Sequence, residues 1–120
     1  MKIVMPIESE NQKPVIAATF GRASDFIIYD TISALKTIIV NQASKKQGGA
    51  GIMAAQTALD HAAEAAIVPQ CGENAMALFQ QANVAVYQSS GNNIDENIHK
   101  FLKNELKLLS NIHPGMHQHP

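Results

Sequence analysis

The sequence predicts an α/β fold, with a mixed sheet of about five strands and helices on both of its faces. Three observations carry that reading. Residues 3–41 hold short runs rich in Ile, Val, Phe and Tyr, broken by turn residues, and show no helical period. From Ile52 onward apolar residues recur at helical spacing, and helical stretches alternate with short buried strands. That is the order of parallel βαβ units with right-handed crossovers. The 120 residues contain no internal repeat and no dividing linker, so they make one ordinary domain.

Residues 3–7 (Ile-Val-Met-Pro-Ile) form an apolar run that reads as a buried first strand. Residues 8–14 are polar and end on Pro14, a loop, and residues 15–18 make a small additional strand. Phe20-Gly21-Arg22-Ala23-Ser24 is a turn. Residues 25–30, with Phe-Ile-Ile-Tyr, and 35–41, with Thr-Ile-Ile-Val, are the strands of a hairpin joined tightly at 31–34. Residues 41–51 are a polar loop ending in glycine. Ile52, Ala55, Leu59 and Ala62 or Ala63 set the face of a first helix running through Glu64. A buried strand at 66–69, a second helix at 73–82, a strand at 84–87 and a breaker-rich turn at 89–93 follow. A third helix runs from 94 to about 105. Residues 1–109 constitute the domain, and 110–120, polar with two prolines, a flexible His-containing tail.

Hydrophobic residues are 46% of the chain, enough for a real core, whereas charged residues are 16% and the net charge is −1. A field that would gather nucleic acid is absent. The longest apolar runs are too short to span a bilayer. The start reads directly as a strand, without the apolar segment and small-residue cleavage site of a signal peptide. The single cysteine, Cys71, excludes an internal disulfide framework and fits a reducing cytosol, so a cytoplasmic location is expected. It also excludes a zinc ion or cluster held by several cysteines of one chain.

The strand directions predict a functional edge. The first strand, the second hairpin strand and the two later parallel strands all end on one side, so loops 8–24, 42–51, 69–73 and 88–93 converge there. Open α/β sheets bind ligands at such edges. Arg22, Lys45, Lys46, the cluster Gly48-Gly49-Ala50-Gly51 and Cys71 lie on these loops and are expected to be neighbours.

Six segments in order carry a further signal: Met1-Lys2-Ile3-Val4-Met5-Pro6, Phe20-Gly21-Arg22-Ala23, the Gly-Gly-Ala-Gly-Ile loop, Ala54-Ala55-Gln56, Cys71-Gly72-Glu73-Asn74-Ala75, and a closing helix ending near Phe101-Leu102-Lys103-Asn104-Glu105-Leu106. Together they resemble the dinitrogenase iron–molybdenum cofactor biosynthesis domain of NifX/NifB-type proteins, over nearly all of the chain. The resemblance implies a ribonuclease H-like, three-layer fold. It also implies a small carrier or accessory protein that binds iron–sulfur or iron–molybdenum–sulfur clusters, with metallocofactor assembly enzymes or client proteins as partners; a homodimer stays open. The chain departs from the family pattern in places. Thr19 stands where members often carry His before the Phe-Gly-Arg turn, Lys45-Lys46-Gln47 where several carry His in the glycine loop, and Gly72-Glu73-Asn74-Ala75 where Gly-Pro-Asn-Ala is common. Histidine ligands are thus missing from both loops.

Cys71 sits where a strand gives way to a helix. A helix N-terminus favours thiolate, so its pKa is expected to fall below the free value of about 8.5. It could then be one soft ligand to iron, copper or molybdenum–sulfur species; the alternative is a cysteine packed as a small hydrophobe. Gly48, Gly49 and Gly51 could cradle an anionic cluster through backbone N–H groups, helped by Arg22, Lys45 and Lys46. The alternative there is a tight turn and helix cap with solvated lysines. Gly49 to Ala54 formally fits G-x-G-x-x-A, but the preceding strand ends well upstream and no acidic residue ends the next one, so the dinucleotide match is weak. In the tail, His113, Met116, His117 and His119 offer imidazole and thioether donors, against a fraying tail with incidental histidines. His61 and His99 read as ordinary surface or boundary residues, and Met53 and Met76 as core.

No strand carries the converging carboxylates of a two-metal nuclease, and one cysteine with scattered histidines does not argue a thiol hydrolase. The expectation is a non-catalytic cluster-binding or carrier protein. The alternatives are a small-anion or nucleotide-binding regulatory module using the glycine loop, and an interaction module without a metal.

Overall fold

The computed structural model describes residues 1–43 and 48–109. Its elements are β1 (Lys2–Glu10), β2 (Lys13–Ile16), β3 (Asp25–Asp30), β4 (Lys36–Val40), α1 (Ala50–Asp60), β5 (Ala65–Val68), α2 (Glu73–Gln81), β6 (Ala85–Gln88) and α3 (Ile94–Leu102). They build a six-stranded mixed sheet ordered β4-β3-β1-β5-β6, with β2 paired to β1. β3 runs antiparallel to both β1 and β4, while β5 and β6 run parallel to β1. The expected hairpin and βαβ series are both present.

The two-residue period of the strands divides the core. Ile3, Met5 and Ile7 join Ile27, Ala65 and Ile67 on one face, where Ile94 and Ile98 of α3 cover them. Val4 joins Phe26, Ile28, Ala66, Val68 and Val86 on the other, beneath Ala54, Ala55 and Ala58 of α1 and Ala75 and Phe79 of α2. Helices therefore lie on both faces. The alanine face of α1 is thin, and aromatic rings supply the missing bulk: Phe20 packs on Phe26 at 5.0 Å and on Phe79 at 5.4 Å between centroids.

Several boundaries differ from the sequence reading for identifiable reasons. Residues 8–14 are a hairpin rather than a loop: β1 runs on to Glu10 and pairs with Lys13 of β2 across a two-residue turn. Asn11 and Gln12 both have positive φ there, at 52° and 66°, the requirement of a hairpin turn whose twist matches the strands. Without a glycine at 11 or 12, the sequence does not announce it. The first helix begins at Ala50 and ends at Asp60, short of Glu64. It stops because Ala62 turns left-handed (φ 63°) and Ala63 donates its N–H back to the Ala58 carbonyl at 3.1 Å. The other two helices stop likewise, at Asn83 and Asn104, with Val84 donating to Phe79 and Glu105 to Lys100, both at 2.8 Å. After α3, Leu109 donates to Val86 at 2.7 Å and Gln88 to Lys107 at 2.8 Å, so an extended segment lies along β6. The face of α1 is also rotated from the one expected: Ala50, Ala54, Ala55 and Ala58 are buried, while Ile52 and Met53 are exposed. Met53 is thus not core; Met76 does pack against it.

Candidate functional site

The loop residues converge as the topology requires. A cleft of about 400 Å³ opens between the Phe20–Arg22 turn, the start of α1 and the β5–α2 junction. Arg22, Gly51 and Cys71 all line it, with Thr19, Gln70 and Gly72. Gly48 and Gly49 stand at its shoulder rather than in its lining; Gly49 is the N-cap of α1, in the left-handed region at φ 71°. Lys45 and Lys46, and the tail residues His113, Met116, His117 and His119, lie outside the described residues. His61, just past the end of α1, and His99, on α3, are exposed.

One glycine, Gly21, makes the convergence possible. A Cβ on Gly21 would come within 3.1 Å of both the nitrogen and the Cα of Gly51, so the turn and the first turn of α1 touch backbone to backbone. A Cβ on Gly51 would meet that of Ala75 at 3.6 Å, an ordinary contact that brings α2 to the same place. The buried Asn41, which the sequence reading passed over, ties the turn to the end of β4. It donates to the carbonyls of Gly21 at 3.1 Å and Ala23 at 2.8 Å, and accepts from the N–H of Ala43 at 3.0 Å. Its signal was an Asn closing an apolar strand, which reads from sequence only as a turn residue.

Two helix starts shape the electrostatics of the cleft. α1 and α2 both start at the cleft, and neither N-cap, Gly49 or Gly72, has a side chain that caps the helix. α3 contrasts: Asn93 accepts from the Glu96 N–H at 2.7 Å. The partial positive ends of both helices thus lie beside the cleft that Arg22 lines, and α2 carries the acidic Glu73 in its first turn. Cys71 does not follow the expectation for a helix start. It is half-buried against the core, and burial pushes its thiol up to about 11 rather than down. The cause is lost hydration, which disfavours the thiolate, and Cys71 lies one residue before the N-cap of α2. Among the described residues, no group of three His, Cys, Asp or Glu side chains is placed to hold a metal ion. A larger cleft of about 510 Å³ lies between β2, Pro69 and residues 89–92 and carries Glu8 and Glu10 instead.

No helix among the described residues is long and apolar enough to cross a membrane. Comparison with solved structures finds the same architecture elsewhere. A protein from Thermotoga, provisionally described as NifB, is 27% identical, with a TM-score of 0.75, covering 90% of this chain and 92% of that one. The apo form of the orange protein from Desulfovibrio gigas is 24% identical, with a TM-score of 0.82 and coverage of 91% and 92%. A protein of Methanocaldococcus jannaschii, provisionally described as a dinitrogenase, is 20% identical, with a TM-score of 0.67 and coverage of 92% and 96%. The latter two likenesses speak to fold alone. No curated protein sequence matches significantly. Residues 1–104 match the family described as dinitrogenase iron–molybdenum cofactor. With most of its length matched, and the Phe20–Ala23, Gly48–Ile52 and Cys71–Ala75 segments meeting around one cleft, the chain belongs to the dinitrogenase iron–molybdenum cofactor family.

Proposed function

We propose that this protein is a small, non-catalytic carrier that holds an iron–sulfur or iron–molybdenum–sulfur cluster as cargo during metallocofactor assembly. The observation that supports this most is the single cleft joining Cys71, Arg22 and the uncapped starts of α1 and α2. Metal–sulfur clusters are anionic and already carry sulfide ligands. Backbone N–H groups and a guanidinium suit such a charge, and one cysteine suits a loose, exchangeable attachment. The thiol is neutral at pH 7, so coordination would displace its proton. Family membership supports the setting in cofactor assembly. With that setting go a cytoplasmic location, assembly or client proteins as partners, and a ribonuclease H-like label for a sheet ordered β4-β3-β1-β5-β6. Tail donation by His113, His117 and His119 and homodimerisation are secondary parts of the same reading.

Anaerobic reconstitution with iron and sulfide, or with tetrathiomolybdate, tests it by metal analysis and visible absorption. Retained absorption that is lost in Cys71→Ala and weakened in Arg22→Gln supports the carrier reading. No retained metal in the wild type, or absorption indifferent to Cys71, sinks it as stated. A thermal shift with phosphate or nucleotides that survives Cys71→Ala and disappears in Gly49→Val would instead favour a small-anion or nucleotide-binding regulatory module.

A further inference from the structure

We infer that Asn41 is the positioning residue of the Cys71 cleft: its carboxamide sets the spacing between Arg22 and the start of α1 that a bound anion meets. The inference rests on the cluster-binding reading. Asn41 and Asn97 are the buried polar side chains among the described residues, and Asn41 is 1% exposed. A carboxamide is costly to bury unless its donors and its acceptor are matched. At Asn41 they are, and the matching is informative. The carbonyls that accept from Nδ2, those of Gly21 and Ala23, belong to the residues on either side of Arg22. One side chain thus fixes the backbone before and after the arginine. Oδ1 accepts the Ala43 N–H, and the Asn41 N–H donates to the Ser24 carbonyl at 3.1 Å. Gly21, held from below in this way, lies against Gly51 of α1. The buried amide therefore ties the turn to the end of β4, and the turn it holds lies against the first turn of α1. An apolar residue would leave two carbonyls without donors, and an aspartate would set its own oxygens against them.

Asn97 supplies an internal control. It accepts from the Ser90 N–H at 2.7 Å and donates to the carbonyls of Ser90 at 3.1 Å and Asn93 at 2.8 Å. The chemistry is the same, but the loop it holds borders the Glu8 cleft, not the Cys71 cleft.

The test compares Asn41→Asp, Asn41→Ser and Asn97→Asp with wild type in anaerobic absorption titrations with tetrathiomolybdate. Thermal melts fix the folded fraction at the titration temperature. The folded Asn41 variants are expected to bind at least tenfold more weakly, with a shifted visible band. Asn97→Asp is expected to bind as wild type despite a comparable fall in melting temperature. Wild-type affinity in a folded Asn41 variant overturns the inference, and so does an equal loss in Asn97→Asp. If Asn41→Asp does not fold, Asn41→Ser, whose hydroxyl can still donate, carries the comparison. If the wild type itself does not bind tetrathiomolybdate, the cluster-binding reading fails separately. Iodoacetamide labelling of Cys71 then decides the positioning role. Faster labelling in the Asn41 variants than in both wild type and Asn97→Asp supports it; equal rates overturn it.

Discussion

Cys71 lines the cleft but packs against the core, and burial pushes its thiol up to about 11. Two consequences follow at this one residue. The thiolate fraction is small at neutral pH, so the iodoacetamide alkylation rate should rise about tenfold per pH unit from 7 to 10. A plateau near pH 8 would contradict the desolvated environment. Folding also favours the neutral thiol over the thiolate. That contribution is whole below about pH 9 and is lost as pH climbs toward 11. The melting temperature should therefore fall more steeply across that window in the wild type than in Cys71→Ala. Gly21 is the second residue whose surroundings fix an outcome. Its missing Cβ leaves room for the backbone of Gly51 at 3.1 Å, so Gly21→Ala should cost about 1–3 kcal/mol. Gly72→Ala meets nothing within 4 Å and sits at φ −65°, and its melting temperature should hardly move.

Among the elements, the helices are set by how they stop. All three end with a left-handed residue whose successor donates back into the last turn, and α1 does this with Ala62, where Asn83 and Asn104 serve the others. A Cβ is disfavoured at positive φ. Ala62→Gly should therefore stabilise the protein by about 0.5–1 kcal/mol, after allowance for the extra freedom of the unfolded chain. Chemical denaturation would measure it, and a destabilisation would mean that the Ala62 methyl makes contacts of its own. The helix starts follow a different logic. α3 is capped by Asn93, whereas α1 and α2 begin on Gly49 and Gly72 with no side-chain cap. Glycine at a helix start forgoes a side-chain hydrogen bond and leaves the N–H groups open to a ligand.

Across the whole molecule, the two sheet edges are treated unequally. The segment through Leu109 lies along β6, while β4 carries Ile38 at 60% and Val40 at 61% exposure, next to the exposed Ile32 and Leu35. An apolar edge strand is a template for pairing with another chain. Val40→Lys should reduce self-association at high concentration, measured by light scattering, while changing stability by under about 0.5 kcal/mol. Phe79→Ala, at the centre of the α1–α2 layer, should by contrast cost about 3–5 kcal/mol, because it empties the space that the α1 alanines leave.

Periodicity and strand order along the chain were enough for the α/β class, the hairpin, the βαβ series and the edge where Arg22, Gly51 and Cys71 meet. These features follow from local patterning and from strand directions, both of which are written in linear order. The Asn11-Gln12 hairpin turn and the Ala62 helix stop were not legible, because residues other than glycine adopt positive φ there only under the pull of strand pairing and helix capping. The rotated face of α1 was not legible either: alanine is apolar enough for any face, and only packing against Phe20, Phe26 and Phe79 selects Ala54, Ala55 and Ala58 over Ile52 and Met53. The tertiary structure alone decided the state of Cys71 and the role of Asn41. A pKa depends on what surrounds the sulfur, and a buried amide is defined by partners up to twenty residues away.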